Sequence, residues 1–292
     1  LLVAVAAFHM PVGLALSTSV QGFTYGVFPI VWILLAAIWM YQITVISGRF
    51  DDLRRTFFLI SDDPRVLGIL IAFCFGGLLE ALAGFGAPVA IAAAMLIAVG
   101  FSKLRAALTA LVANTVPVAF GAVGLPVLMA SRTSGVELTQ VANVTARICA
   151  VLCLVVPFLL LAIMDGKKGV KECWPFGLFV GFVFGLVKWF VAGTAVYSLT
   201  EVFAAIISVA AAMAFLKVWH PSGGREAAQR IGIPMDPSVE TEPVAAQQAD
   251  TTGLSAGRIW MALVPYVLVV VIFGIAAFPD VKTALASADQ KI

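Results

Sequence analysis

The sequence predicts an all-α polytopic membrane protein, on three observations. Of its 292 residues, 62% are hydrophobic and only 12% are charged, whereas soluble domains are roughly 45–50% apolar and about 25% charged. Several apolar stretches approach the roughly 20 residues that a helix needs to cross the hydrocarbon core. The apolar residues form continuous runs, whereas the strands of a membrane barrel would alternate. The bilayer is therefore the solvent for most of the chain.

Eight apolar runs are interpreted as helices. They cover about residues 1–20, 23–47, 67–101, 104–130, 141–164, 175–193, 201–218 and 259–279. Pro11 and Gly13 interrupt the first run, and a polar, proline-rich stretch over 220–257 predicts an exposed cytoplasmic loop with little core. The chain starts without a basic leader and ends in polar residues, so we expect it to be part of a longer protein.

Positive charge predicts the topology, because short cytoplasmic loops collect Lys and Arg. The clusters are Arg49, Arg54, Arg55 and Arg65; Lys103 and Arg105; Lys167, Lys168 and Lys171; and Lys217, Arg225, Arg230 and Arg258. The first cluster lies on the same side of the membrane as the others only if residues 67–101 enter and leave the membrane by the same face. Its first leg, 67–80, is about 21 Å long as a helix, shorter than a core of about 30 Å. Residues 67–101 are therefore predicted to be a re-entrant hairpin, with loops 48–66, 165–174 and 219–258 in the cytoplasm.

The turn of this hairpin combines a carboxylate with glycines in an apolar setting. The segment from Glu80 to Pro88 reads EALAGFGAP. Glycines permit unusual backbone angles and close approach of a ligand, and Pro88 suits the first turn of a new helix. The free amides at such a helix start favour an anion. The candidate ligand-binding residues here are Glu80, Ala83, Gly84, Phe85 and Gly86.

A second interruption predicts a discontinuous helix over 104–130. Its breaking residues are Pro117, Gly121, Gly124 and Pro126, and Asn114 and Thr115 before them offer an amide and a hydroxyl. Two interrupted segments in close succession are typical of transporters with a site at the membrane midplane. The alternative is purely structural, since Gly and Pro are frequent in membrane helices and Asn or Thr often join helices. The pattern favours a membrane transport region over 1–219, followed by the polar loop and a further helix with a truncated polar end over 258–292.

Four charged residues lie in or at the ends of apolar runs and need separate interpretations. A membrane carboxylate marks an ion or proton pathway by default, and in a poorly solvated site it can exchange a proton near neutral pH. Glu80 is therefore the predicted coupling carboxyl, with a structural ion pair as its alternative. Arg147 either pairs with a substrate carboxylate or plays a structural part. Lys188 and Glu201 are predicted to form a structural ion pair.

Several function classes lack their signatures. The chain has two histidines and shows no Walker-type loop, paired metal ligands or Ser/His/Asp constellation, so no enzyme activity, metal or other cofactor is predicted. A net charge of +2 without a basic amphipathic face argues against a nucleic-acid partner. The expected partners are a small substrate, a coupling ion and the bilayer, and no oligomeric state is predicted. An anion channel and a sodium-coupled carboxylate carrier remain as alternatives to a proton-coupled carrier, ahead of a membrane enzyme.

Six stretches of the sequence carry a family resemblance: EALAGFGAPVAI at 80–91, GFSKLRAA at 100–107, ANTVPVAFGAVGLPV at 113–127, GFTYGVFPIVWILLAA at 22–37, AIMDGKKGVKECWP at 162–175 and FLKVWHP at 215–221. Together they resemble the L-lactate permease family of bacterial inner membranes. The resemblance implies a multi-pass proton symporter for L-lactate, with D-lactate and glycolate as related substrates. Members of the family are similar to inverted-repeat carriers and about twice as long, so the resemblance implies that this chain is mainly the first half. Glu80 carries over only as part of the first stretch.

Overall fold

The protein is described from a computed structural model of the whole chain. The described residues are 2–32, 60–82, 84, 86–233 and 255–277, with residues 35, 39, 42–43, 46–49, 52, 56–57 and 281 between and after them. They fall into two compact units, Leu1–Gln42 and Ile43–Ile292.

The first unit contains two helices and a π-helical turn. Helix α1 spans Leu2–Ala6, helix α2 spans Val12–Tyr25, and the π-helical turn Gly26–Val31 extends α2. Pro11 occupies the position before α2 in an extended conformation. The predicted interruption at Pro11 is therefore confirmed, because proline starts a helix readily but cannot continue one.

The second unit is built from helices, and its described part contains no strand. These helices are α3 (Pro64–Leu82), α4 (Ala87–Val99), α5 (Lys103–Ala113), α6 (Gly121–Ser134), α7 (Leu138–Ala192), α8 (Thr200–Leu216), α9 (Gly224–Ile231) and α10 (Ala256–Ala277). Short 3-10 turns precede α6 and α8, at Val118–Phe120 and Tyr197–Leu199. Among the described residues, three helical segments are long and apolar enough to span a membrane, and the pair α5 and α6, bent by 59°, would be a fourth. The all-α membrane fold is thus confirmed.

Helices α3 and α4 form an antiparallel hairpin. A side-chain carbon on Gly68 would lie 3.7 Å from the Phe101 ring, and one on Gly76 would lie 3.9 Å from the Ala92 Cβ atom. The first turns of α3 and the C-terminal end of α4 therefore lie at the same end of this unit. This is the arrangement that the hairpin prediction requires.

The first leg of the hairpin is longer than the predicted 67–80. Helix α3 begins at Pro64, because the Asp63 carboxylate accepts a hydrogen bond of 2.8 Å from the Arg65 amide and caps the helix. Its 19 residues give a length of about 28 Å. The short-leg argument for the hairpin was therefore wrong, and the hairpin rests on its contacts and its shared end.

Helix α7 is two antiparallel arms joined at Gly166. Gly166 leaves the helical conformation, with φ 67° and ψ −153°, and the predicted connection over 165–174 is otherwise helical. The arms meet through Gly177, Gly181 and Gly185, which recur every four residues. A side-chain carbon on Gly181 would overlap the Cys153 carbonyl oxygen of the other arm. Small residues at this spacing let the two backbones approach closely, as in other membrane helix pairs.

Basic residues from the predicted cytoplasmic clusters meet at one end of this unit. The buried Arg65 guanidinium contacts the carboxylates of Asp63, Asp165 and Glu172. Arg230 donates to Asp165 at 2.6 Å and 2.8 Å, and Arg105 donates to the Ile231 carbonyl oxygen at 2.9 Å. Since basic loops face the cytoplasm, the positive-inside rule indicates that this end is the cytoplasmic one.

Helix α9 corrects the prediction of a core-poor loop over 220–257. Its Ala227, Ala228 and Ile231 side chains are buried. The hydrogen bonds that Arg230 donates to the Asp165 carboxylate raise the pKa of Arg230, so its guanidinium stays charged and fixes the helix to α7. The flanking Pro and Gly residues predicted a loop, so this short amphipathic helix was not expected. The rest of the predicted loop, 234–254, lies outside the described residues.

Candidate functional site at two helix breaks

The tip of the α3–α4 hairpin depends on two glycines in the left-handed region. Gly84 has φ 61° and Gly86 has φ 80°, values that residues with a Cβ atom adopt at a cost of roughly 1–2 kcal/mol. The Gly84 amide donates to the Glu80 carbonyl oxygen at 3.0 Å and closes the end of α3. Helix α4 then begins at Ala87, with Pro88 in its first turn as predicted. The hairpin tip therefore ends one helix and starts another within a few residues.

The break between α5 and α6 is sharper than prolines alone would produce. Helix α5 ends at Ala113, and after a 3-10 turn three successive residues adopt left-handed angles: Ala122 (φ 44°), Val123 (φ 59°) and Gly124 (φ 75°). A β-branched residue in this region is a genuine outlier. Such strain costs about 1–3 kcal/mol for each residue and persists only where the surroundings enforce it. Strained backbone of this kind is concentrated at binding sites and moving elements.

The two breaks are in direct contact. A side-chain carbon on Gly84 would lie 2.8 Å from the Ala122 Cβ atom, and one on Gly121 would lie 2.8 Å from Glu80 Oε1. Real Cβ atoms do not approach other atoms this closely. Glycine at each position is therefore what allows the hairpin tip and the discontinuous helix to meet.

Glu80 is enclosed where these two breaks meet. Its side chain is 2% exposed, and its Oε2 atom has no hydrogen-bond partner among the described residues. The side chain of Asn114, at the end of α5, lies within hydrogen-bonding reach of the Glu80 carboxyl. A buried acceptor without a partner is costly, so this carboxyl is a place where a proton or a polar ligand would lower the free energy.

A buried ion pair adjoins the same break. The Lys188 Nζ atom lies 2.7 Å from Glu201 Oε2 and donates to the Val116 carbonyl oxygen at 2.8 Å. Both charged side chains are fully buried, and the ammonium lies 5.4 Å from the centroid of the Phe120 ring. The predicted ion pair is confirmed. The hydrogen bond from Lys188 to the broken helix was not predicted, although a lone lysine in an apolar run could have suggested a polar partner.

The comparisons with known proteins identify the family. The sequence model of the L-lactate permease family matches residues 1–291. The chain belongs to this family. Glycolate permease GlcA of Escherichia coli (strain K12) is 39% identical over 286 residues, which are 98% of this chain and 51% of that protein. The L-lactate permeases of Bacillus subtilis (strain 168) and E. coli (strain K12) are 37% and 35% identical over 291 residues, 98% of this chain and 50% of each protein.

The chain of this L-lactate permease family member spans about half the length of the curated relatives it matches. No solved structure matches it. The family assignment agrees with the resemblance found in the sequence, and the apolar spanning helices make this a multi-pass membrane protein.

The structure of this permease-family chain gathers some of the predicted site residues and separates others. Glu80, Gly84, Asn114 and Gly121 are brought together by the contacts above, and Gly124 lies against Tyr197 and Ser198. Pro117 is buried directly before the 3-10 turn, and Pro126 is exposed within α6. Ala83 and Phe85 lie outside the described residues.

Two predicted site residues have other contacts in this permease-family chain. The exposed Thr115 hydroxyl donates to the Val112 carbonyl oxygen at 2.7 Å, which is a local bond at the end of α5. Arg147 is exposed on α7, and its guanidinium lies 5.6 Å from the centroid of the Trp189 ring. Neither contact involves the enclosed carboxyl, so the substrate-binding parts of Thr115 and Arg147 stay predictions.

Proposed function

We propose that this chain forms part of a proton-coupled permease that takes up L-lactate and related 2-hydroxy monocarboxylates, D-lactate and glycolate, across a bacterial inner membrane. The observation that carries the proposal is the enclosed Glu80 carboxyl, with an unpartnered oxygen, at the contact between the hairpin tip and the broken helix. Relatives named as L-lactate and glycolate permeases support this class of substrate.

The charges around Glu80 support coupling to a proton. Glu80 and Glu201 interact electrostatically, and Lys188 is the cation paired with Glu201. Two ionised carboxylates with one ammonium would leave a net negative charge in a buried region, at a cost of several kcal/mol. One added proton makes the group neutral. Glu80 is its proposed carrier, since Glu201 already has an ionic partner.

The start of α4 supports an anionic substrate. Pro88 has no amide hydrogen, and the Val89 amide donates to the Gly86 carbonyl oxygen at 3.2 Å. The Ala87 amide and the helix dipole therefore remain to favour a carboxylate. Gly86, immediately before this helix, is exposed, whereas Glu80 in the preceding helix is buried. A monocarboxylate at the tip would therefore lie at the edge of the enclosed region that holds the proton.

The proposed cycle moves the hairpin tip relative to the broken helix. Ala122 and Val123 hold left-handed angles, so a conformation that releases this strain is available when their contacts with the tip change. Binding of the proton removes the buried charge, and binding of the substrate places a carboxylate at the positive end of the α4 dipole. Both ligands together would then favour reorientation of the site.

The direct test is uptake of labelled L-lactate by the purified full-length protein in proteoliposomes. We expect accumulation above the external concentration with an inward proton gradient, and equilibration alone with an inward sodium gradient or with none. Accumulation driven by sodium would favour the sodium-coupled alternative. Equilibration under every gradient would favour a channel and contradict the proposal.

A further inference from the structure

Lys188 differs from the other basic side chains described in the structure. Among the described residues, Arg65 and Lys188 are the two buried cations. Arg65 belongs to the charged end and is surrounded by three carboxylates. Lys188 forms an ion pair with one carboxylate, that of Glu201, and donates a hydrogen bond to the Val116 carbonyl oxygen at the helix break. It is therefore the buried cation that adjoins the candidate site.

We propose that, after the transported 2-hydroxy acid has passed the hairpin tip, Lys188 binds its carboxylate, and that Glu201 occupies the Lys188 ammonium when substrate is absent. This inference rests on the proposed function. A carboxylate that enters a poorly solvated region needs a cation or several hydrogen-bond donors there. An ammonium group has three donors and no preferred plane, so it can exchange one carboxylate for another without rearrangement of its stem.

The surroundings of Lys188 fit a small carboxylate that also carries apolar surface. Its ammonium lies 5.4 Å from the Phe120 ring centroid and 5.7 Å from that of Phe184. Gly77 on α3 faces the same group, since a side-chain carbon there would lie 3.1 Å from the Phe184 ring and 3.5 Å from Glu201 Oε1. The absence of a side chain at Gly77 keeps the Glu201 carboxyl free of contact on that side.

The exchange accounts for one proton per substrate. Without substrate, Glu201 is paired with the Lys188 ammonium and Glu80 is protonated, so the group is neutral. With a substrate carboxylate on Lys188, one more proton is needed: Glu80 passes its proton to the displaced Glu201 carboxylate and is protonated again from solution. The remaining titratable groups that face Lys188 are the thiols of Cys149 and Cys153 on the first arm of α7. Each substrate therefore enters with one proton.

If Lys188 and Glu201 form only a structural ion pair, removal of both charges should leave L-lactate affinity unchanged. If Lys188 binds the substrate, the same change should lower that affinity. Lys188→Gln alone leaves Glu201 buried without a partner, which destabilises the fold for reasons unrelated to substrate. The double variant Lys188→Gln with Glu201→Gln removes both charges and keeps similar side-chain volumes. Glu201→Gln alone keeps the ammonium and removes its competitor. Lys168→Gln, at an exposed lysine of α7, is the matched control.

The measurement is the affinity of the purified full-length protein for L-lactate by calorimetry, with lactamide as an uncharged probe. We expect the double variant to remain folded and to lose roughly ten- to hundredfold in L-lactate affinity, the effect of one charged hydrogen bond. Glu201→Gln is expected to bind L-lactate at least as tightly as the wild type, with weaker dependence on pH. Lactamide binding is expected to change little in either variant.

Failure of the role proposed for Lys188 can be distinguished from failure of the proposed transport function. A folded double variant that binds L-lactate with wild-type affinity would overturn the role of Lys188, even if the wild type accumulates L-lactate. If the double variant does not fold, Glu201→Gln decides, and a tenfold loss of its L-lactate affinity overturns the exchange. A wild type that fails to accumulate L-lactate overturns the proposed function itself.

Discussion

Replacement of Glu80 by glutamine is expected to abolish accumulation of L-lactate driven by a proton gradient, while exchange of internal for external L-lactate continues. Glutamine has nearly the same shape as the protonated acid and can still hydrogen-bond to Asn114, which lies within reach of this side chain. Glutamine cannot bind or release a proton, however, so position 80 is permanently neutral. Uptake should therefore fall to the level of equilibration, and labelled counterflow should remain within a few fold of wild type.

Two further variants complete this test of Glu80. Glu80→Asp keeps a proton-carrying group and should keep part of the accumulation. Glu137→Gln removes an exposed carboxyl before α7 and should leave accumulation unchanged. Gradient-driven accumulation in Glu80→Gln at the wild-type level would place the proton on another group and contradict its assignment.

Substitution of Gly84 by alanine is expected to cost both stability and transport. The position has φ 61°, which costs a residue with a Cβ atom roughly 1–2 kcal/mol. The new methyl group would also lie 2.8 Å from the Ala122 Cβ atom, and overpacking of this kind costs about 1–3 kcal/mol. The melting temperature should fall, and the initial rate of L-lactate uptake should fall further because the two breaks no longer fit.

A matched glycine separates these two contributions. Gly135 follows α6 with φ 71°, and a side-chain carbon there would have nothing within 4 Å. Gly135→Ala therefore carries the backbone cost without the contact, and it should lower the melting temperature slightly and leave uptake unchanged. Equal losses of uptake in the two variants would show that the contact between Gly84 and Ala122 has no part in transport.

The hairpin and its tip were predictable because they depend on local chemistry. Gly84 and Gly86 mark left-handed backbone, and Pro88 marks a helix start, so the position of the tip follows from the residues themselves. The start of α3 was missed, although Asp63 followed by Pro64 is a helix-start signal. The preceding polar residues were interpreted as loop, and the predicted leg was therefore too short.

The discontinuous helix was predictable as an interruption but not in its geometry. Pro117 and Pro126 drew attention to the segment, yet the left-handed residues are Ala122, Val123 and Gly124. Alanine and valine have no intrinsic preference for these angles, so contacts with other segments impose them, such as the close approach of Gly84 to Ala122 and of Tyr197 to Gly124. Contacts between segments distant in the chain leave no local signal in a single sequence.

The buried charges show the same limit of local information. Lys188 and Glu201 were paired correctly from their positions in adjacent apolar runs, but the hydrogen bond from Lys188 to the Val116 carbonyl oxygen joins residues 72 positions apart. Arg147 is also a basic residue in an apolar run, and it lies exposed beside Trp189. Arg147 and Lys188 are each a single basic residue within an apolar run. Composition alone therefore does not tell which of the two is buried.

The central claim is that each monocarboxylate enters with a proton. Its most direct test is the internal pH of proteoliposomes that contain the full-length protein, recorded with a trapped dye when L-lactate is added outside with no imposed pH gradient. The account predicts rapid internal acidification that is proportional to labelled L-lactate entry and is lost in Glu80→Gln. Entry of L-lactate without acidification in the wild type would contradict proton coupling.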